Sequence, residues 1–217
     1  TFSAGALFLG VPLSLALVLL LQYGRRAVVI LSGLAVLAGG ALLVALQTER
    51  FARLANLSGG TSFFRVRVWQ SAAQMLRDHP VTGIGLDQFL YAYRGQYIAP
   101  DAWQEPNLSH PHNILLDFWL RLGLLGAALL IVIQAVFWAR ALRIWRASGT
   151  APIARALIIG AMGSMLGLLA HGMVDNSVFV NDLVVVFMLL LAIPASLPSS
   201  QPPAETAPGA APHDGGL

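Results

Sequence analysis

Five stretches of the chain are apolar on all sides, and the polar positions collect between them. The stretches are Gly5–Leu21, Ala27–Leu46, Ile114–Trp138, Ile153–Val174 and Leu183–Leu197. A helix needs about 20 mostly apolar residues to cross a bilayer, so the pattern predicts about five transmembrane helices. The first is uncharged, and the third carries Asp117 and Arg121 near its start. The fourth is rich in Gly, Ala and Met, as closely packed membrane helices are. The fold class that follows is all-α, a polytopic integral membrane protein with a helical loop between its second and third spans. The chain divides into two spans (1–46), the loop (47–112), three further spans (113–197) and a tail (198–217). The tail is rich in Pro, Ala and Gly and is expected to be disordered.

The loop is too long for a bare connector. Its segment "TSFFRVRVWQSAAQMLRDHP" predicts a helix, with Thr61 or Ser62 as N-cap and Pro80 as stop. On a helical wheel Arg67, Gln70, Ser71, Gln74, Arg77 and Asp78 share one arc. Val66, Val68, Trp69, Ala72, Ala73, Met75 and Leu76 cover the other. Arg65 falls within the apolar arc, one turn before Trp69. Either it snorkels to water from the first turn, or it faces an anionic ligand at the membrane boundary. "TGIG" at Thr82–Gly85 reads as a plain turn, with a phosphate loop at Gly83 and Gly85 as the weaker alternative. "DQFLYAYRGQY" predicts a helix with Asp87 near its start. Its Tyr91, Tyr93, Arg94 and Tyr97 suit either sugar stacking or the membrane interface.

Composition agrees with the membrane reading. The chain is 57% hydrophobic and 11% charged, against roughly 25% charged in soluble domains. Every basic residue is arginine, and the net charge of +3 comes with no dense basic run. Nucleic acid is therefore not an expected partner. Cysteine is absent, so disulfide and thiolate chemistry are excluded. Arg140, Arg143, Arg146 and Arg155 flank the connection after the third span without an acid, which predicts a cytoplasmic side. Arg25 and Arg26 then share that side, while residues 47–112, Asp175 and Asp182 lie outside. The opening "TFSAGALFLG" has no initiator Met and no charged n-region. It reads as entry into the middle of a longer protein, not as a signal peptide.

The mouth of the third span carries the densest chemistry, "SHPHNILLDFWLRLGLLG" from Ser109 to Gly126. Pro111 disfavours helix at His110, and His112 and Asn113 open the span. A helix N-terminus favours anions, and a neutral histidine there suits a general base. Asn113 can cap the helix or hold a hydroxyl or an imidazole. Asp117 and Arg121, at i and i+4, can pair. A His-x-His zinc site with His171 and Asp175 is a weaker alternative, because no tight metal spacing is present. The bland alternative is a wet helix end with no chemistry.

These residues resemble the O-antigen ligase and polymerase superfamily of membrane glycosyltransferases. Arg65 and Trp69 in "RVRVW" are similar to the family's Arg-x-x-x-(Leu/Trp) element. "DHPVTGIGLDQF" resembles its Pro-x-x-Gly-x-Gly segment. His112, Asn113, Gly123 and Gly126 match His-(Asn/Ser/Gln)-x9-Gly-x-x-Gly. The likeness runs from about Thr1 to about Pro194. It departs at Ala4, where the family's Ser-Arg-Gly-Ala element has an arginine implicated in donor binding. The resemblance implies a GT-C-like helical fold preceded by further spans. It also implies transfer of a glycan from an undecaprenyl-diphosphate carrier to an acceptor hydroxyl. The acceptor would be lipid A core, a glycan or a protein, at the outer face of the bacterial inner membrane. Neither metal nor another cofactor is implied. His112 and Arg65 would be catalytic, with Asn113, Trp69, Gly83, Gly85, His110 and Arg94 binding substrate. The competing class is a transporter of a small anion or polysaccharide precursor. No interrupted helix pair supports it.

Overall fold

The computed structural model describes residues 6–45, 47, 60–175 and 178–198. Among these residues seven α-helices follow in order. They are α1 Val11–Tyr23, α2 Arg25–Ala45, α3 Gly60–Asp78, α4 Phe89–Ala92, α5 Ile114–Arg146, α6 Pro152–Gly172 and α7 Asn181–Ser196. A π-helical turn, Ala6–Gly10, leads into α1, and a second, Tyr93–Tyr97, continues α4. Each apolar stretch, over its described residues, lies mainly in a helix. By length and composition α5 and α6 suffice to cross a membrane, while Phe8–Tyr23 and Asn181–Ser196 are shorter apolar helices. Two spans of the expected five thus meet that test. The tail from 199 on and Ala4 lie outside the described residues.

The exterior carries large apolar side chains: Val29, Val36 and Leu37 on α2, Leu125 and Ile131 on α5. A surface this apolar suits hydrocarbon rather than water. Inside, α1 and α6 meet through small residues. A Cβ on Gly163 would lie 2.5 Å from Val18, and one on Gly167 would lie 3.3 Å from the Gly10 carbonyl. Close backbone approach of this kind is how helices associate without a hydrophobic driving force. Arg140, read in the sequence as an inner-loop charge, reaches from α5 to the end of α7. Its guanidinium donates to the carbonyls of Pro194, Ala195 and Leu197. Those carbonyls have no helical partner, so Arg140 caps its neighbour.

The loop helices have their own core. Val68, Ala72, Met75 and Leu76 of α3 pack on Phe89, Tyr93 and Tyr97, with Leu120 of α5 beneath them. Ser71, assigned by the wheel to the polar arc, is buried because its hydroxyl donates to the Tyr97 carbonyl at 2.7 Å. The helix expected from Asp87 begins only at Phe89, and Asp87 itself is left-handed with φ 56°.

A single joint ties loop to span. Gly123 interrupts α5 with φ 70° and ψ −165°. The interruption separates Leu124 N–H from the Leu120 carbonyl, its ordinary helical acceptor. Residues 81–85 fill the gap from both sides. Leu124 N–H donates to the Val81 carbonyl at 2.9 Å, and the Leu120 carbonyl accepts from Ile84 N–H at 2.7 Å. Trp119 Nε1 donates to the Pro80 carbonyl at 2.7 Å. No side chain fits this contact, since a Cβ on Gly83 would lie 2.4 Å from the Leu120 carbonyl oxygen.

Two predictions follow from this architecture. A Cβ at Gly123 would lie 2.2 Å from the Val81 carbonyl oxygen in a backbone region closed to alanine. Gly123→Ala should therefore destabilise the protein by about 1–3 kcal/mol from backbone strain alone. Gly149→Ala, with no neighbour within 4 Å, should not. Thermal midpoints in detergent test the pair, and equal midpoints would contradict the joint. For orientation, the cysteine-free chain allows Gln104→Cys and Ser148→Cys, both at exposed positions. An impermeant thiol reagent should label only Gln104→Cys in cells stripped of the outer membrane. The opposite pattern would invert the topology.

Candidate active site

Asn113 builds the site's frame. As N-cap of α5 its side-chain oxygen accepts from Leu115 N–H and Leu116 N–H, both at 3.1 Å. Its Nδ2 donates to the Met173 carbonyl at 3.2 Å, just past the end of α6. One amide thus caps one helix and ties it to the exit of another. Gly172 closes the approach, since a Cβ there would lie 3.2 Å from Ile114 Cβ. Two residues beyond Met173, this tie brings Asp175 to the mouth of α5.

His112 sits at the centre. Its φ of 52° is left-handed, a conformation uncommon outside glycine. Such strain costs on the order of 1–3 kcal/mol and collects at functional sites. Nδ1 of His112 lies 3.5 Å from Asp175 Oδ1. The contact is long, and Nδ1 makes no hydrogen bond among the described residues. The far Asp175 oxygen, Oδ2, lies 4.0 Å from Arg65 Nη2. Arg65, from the apolar arc of α3, does not snorkel away: its side chain is 25% exposed, and its Nε is buried with no hydrogen bond among the described residues. Three chain regions thus converge: Arg65, His112 and Asp175.

Burial holds the His112 imidazole down to about 4, from an ordinary 6.5. His110 and Arg65 press the same way, and Asp175 opposes them. At neutral pH the ring is therefore uncharged and able to accept a proton. The His110 ring lies 4.3 Å from that of His112. Its Nδ1 pairs with Ser109 Oγ at 3.1 Å, and its Nε2 is buried without a partner among the described residues. Burial lowers the His110 pKa as well.

The remaining sequence candidates disperse. Gly83 N–H donates to the His79 carbonyl and Gly85 N–H to the Leu120 carbonyl. Both glycines serve the turn and the joint, and offer no N–H to a phosphate. Trp69 packs against the loop core, its Nε1 buried without a partner among the described residues. Arg94 is exposed on the π-helical turn. Arg67 is held by Asp101 and by Gln70, over the Phe63 ring. His171 lines an apolar groove with Gly10 and Ser14, on the side of α6 that meets α1. Arg121 pairs with Asp117 at 2.7 Å, as their spacing suggests, and also with Asp87. Among the described residues no three His, Asp or Glu side chains gather as a metal site would require.

Asp175 entered the sequence analysis only as an outer-side acid and as a partner in the weaker zinc alternative, not as a neighbour of Arg65. The signal was there: an acid directly after an apolar span, on the same predicted side as His112.

An all-helical membrane protein with an arginine, a histidine and a carboxylate gathered where a helical loop meets its spans is the class defined so far. The sequence profile described as O-antigen ligase matches residues 1–131, more than half of the chain. The chain belongs to the O-antigen ligase family. The match includes Arg65, His110 and His112 and ends before Asp175, which enters the site by geometry alone. No curated protein matches the chain.

The low pKa can be read directly. With histidine Cε1 labelled by ¹³C, the resonance lost in His112→Ala should titrate near 4. As pH falls through that value the ring gains its proton and its charge. A midpoint above 6 would show that burial does not govern the site.

Proposed function

We propose that the protein transfers a glycan from an undecaprenyl-diphosphate carrier to an acceptor hydroxyl at the outer face of the bacterial inner membrane. The convergence of Arg65, His112 and Asp175 carries this reading. The wider frame it assumes is a multi-pass protein of about five spans, with residues 47–112 extracytoplasmic. Donor lipid in the bilayer and acceptor from the water would meet at this boundary.

The acceptor oxygen attacks the anomeric carbon of the donor's first sugar. The bond from that carbon to the phosphate oxygen breaks, and its electron pair leaves with the diphosphate. Arg65 faces the charge that develops there. A guanidinium matches phosphate oxygens in bidentate fashion, with charge-assisted bonds of about 1.5–3 kcal/mol each. The Nε of Arg65, buried and without a hydrogen bond among the described residues, supports this role. His112 takes the proton of the attacking hydroxyl on Nε2 while Asp175 holds Nδ1, a contact that tightens in the bound complex. A base with pKa about 4 is weak. The diphosphate adds negative charge beside it and raises that pKa, so the donor itself strengthens the base. Asn113 acts by holding the α5 and α6 ends together. No metal takes part in this scheme, and chelator in the assay examines that directly.

Membranes containing the protein, lipid-linked glycan and acceptor should support transfer without nucleotide sugar and with chelator present. Accumulation of precursor in vesicles without transfer would favour the transporter instead. Arg65→Ala should abolish turnover and Arg67→Ala should be mild at equal protein level. Arg65→Lys keeps the charge but loses the fork, and full rescue would remove the bidentate contact. His112→Ala should lose on the order of 10²–10⁴-fold, and His110→Ala should retain a substantial fraction. Near-normal turnover in His112→Ala would take that residue out of the mechanism.

A further inference from the structure

Beside the histidine pair lies a second cavity of about 310 Å³. Its lining includes Asp87, Tyr91, Ser109, His110, Arg121 and Phe179. Arg65, His112 and Asp175 do not line it. His110 is the shared wall, its ring 4.3 Å from that of His112.

The chemistry of the lining selects a ligand. Two carboxylates, Asp87 and Asp117, face one guanidinium, Arg121, which is bonded to both. Among the described residues this cluster holds no unneutralised cation to attract a phosphate. His110 adds none, because burial keeps its ring neutral at ordinary pH. What the cavity offers is a dense set of hydrogen-bond acceptors and donors beside one open aromatic face. The structure sorts the tyrosines in this respect. Tyr93 is buried and stacked on Phe89, and Tyr97 is buried with its hydroxyl on Asp78. Tyr91 is 71% exposed and borders the cavity. Polar groups around an exposed ring suit a pyranose, which has hydroxyls at its rim and C–H groups on its face. The volume is at the low end of the range of about 300–1,000 Å³ for small-molecule sites, so it suits a short saccharide rather than a polymer.

We propose that this cavity is the acceptor subsite, holding an uncharged sugar ring whose hydroxyl points past His110 toward His112. The inference rests on the glycan-transfer reading for its catalytic consequence. Its binding step stands independently of that reading. In the balanced step, the ring held here contributes the attacking oxygen, and its proton passes to His112. The diphosphate leaves on the opposite side, at Arg65.

The test uses the full chain in detergent, with methyl hexopyranosides as the probe. Saturation-transfer NMR should show contact to the sugar ring protons in the unmodified protein. The signal should vanish in Tyr91→Ala and persist in Tyr91→Phe, which keeps the ring. Tyr91 is exposed, so thermal midpoints should match. In the transfer assay Tyr91→Ala should raise the acceptor KM about five- to tenfold, the effect of losing one ring contact. The donor KM and kcat should stay within about twofold, as loss of uniform binding requires. Absence of signal in the unmodified protein would overturn the proposal. So would an unchanged signal in Tyr91→Ala, or a shift in donor KM in place of acceptor KM. Sugar binding without any glycan transfer would instead count against the catalytic reading alone.

Discussion

The structure depends on one missing hydrogen bond. Where Gly123 breaks α5, Leu124 N–H and the Leu120 carbonyl lose each other, and buried backbone groups near lipid cannot go unpaired. The loop supplies both replacements, Val81 and Ile84. The two glycine-containing motifs, some forty residues apart in the chain, are therefore the two halves of one joint. Gly83 and Gly123 are needed because the opposing backbones are too close for any Cβ. Through this joint the loop core is seated on α5, and α3 with it. The approach of Arg65 to the mouth of α5 follows from that seating.

Electrostatics then governs the site. Arg65, His112 and Asp175 are each partly buried, and each alters its neighbours. Burial first, then the second histidine and the arginine, keep His112 from charging, while the aspartate opposes them. A partly buried arginine whose Nε has no hydrogen bond among the described residues carries a desolvation cost that an anion would offset. In the proposed mechanism the donor's diphosphate relieves that cost, and its charge makes His112 a stronger base. Across the His110 wall the balance differs. There Arg121 is already neutralised by Asp87 and Asp117, so the second cavity is polar without being cationic. In the proposed reading, two adjacent sites of different charge character serve an anionic donor and a neutral acceptor.

Much of this was legible along the chain. Apolar runs declared their helices, because a segment without polar groups has few alternatives to a buried or lipid-facing helix. Arg65 stood out because a charge in an apolar arc breaks the helical period. Asn113 before an apolar run is a cap by residue type and position, and Asp117 with Arg121 is a pair by spacing alone. All of these depend on neighbours within one or two turns, which sequence encodes directly.

What only the tertiary structure decided involves groups far apart in sequence. Asp175 meets His112 because Asn113 bonds Met173, a contact between two helix ends that no local pattern announces. Ser71 turned inward because the Tyr97 carbonyl needed a donor, and Gly83 and Gly85 gave their N–H groups to the chain itself. Tyr91, Tyr93 and Tyr97 read alike in sequence, but packing buried two of them and left the third at a cavity. The physical reason is common to these cases. Local sequence fixes which backbone and side-chain groups exist and how they repeat along a helix. Their partners are chosen by satisfying every buried polar group at once, and that choice is made across the whole fold.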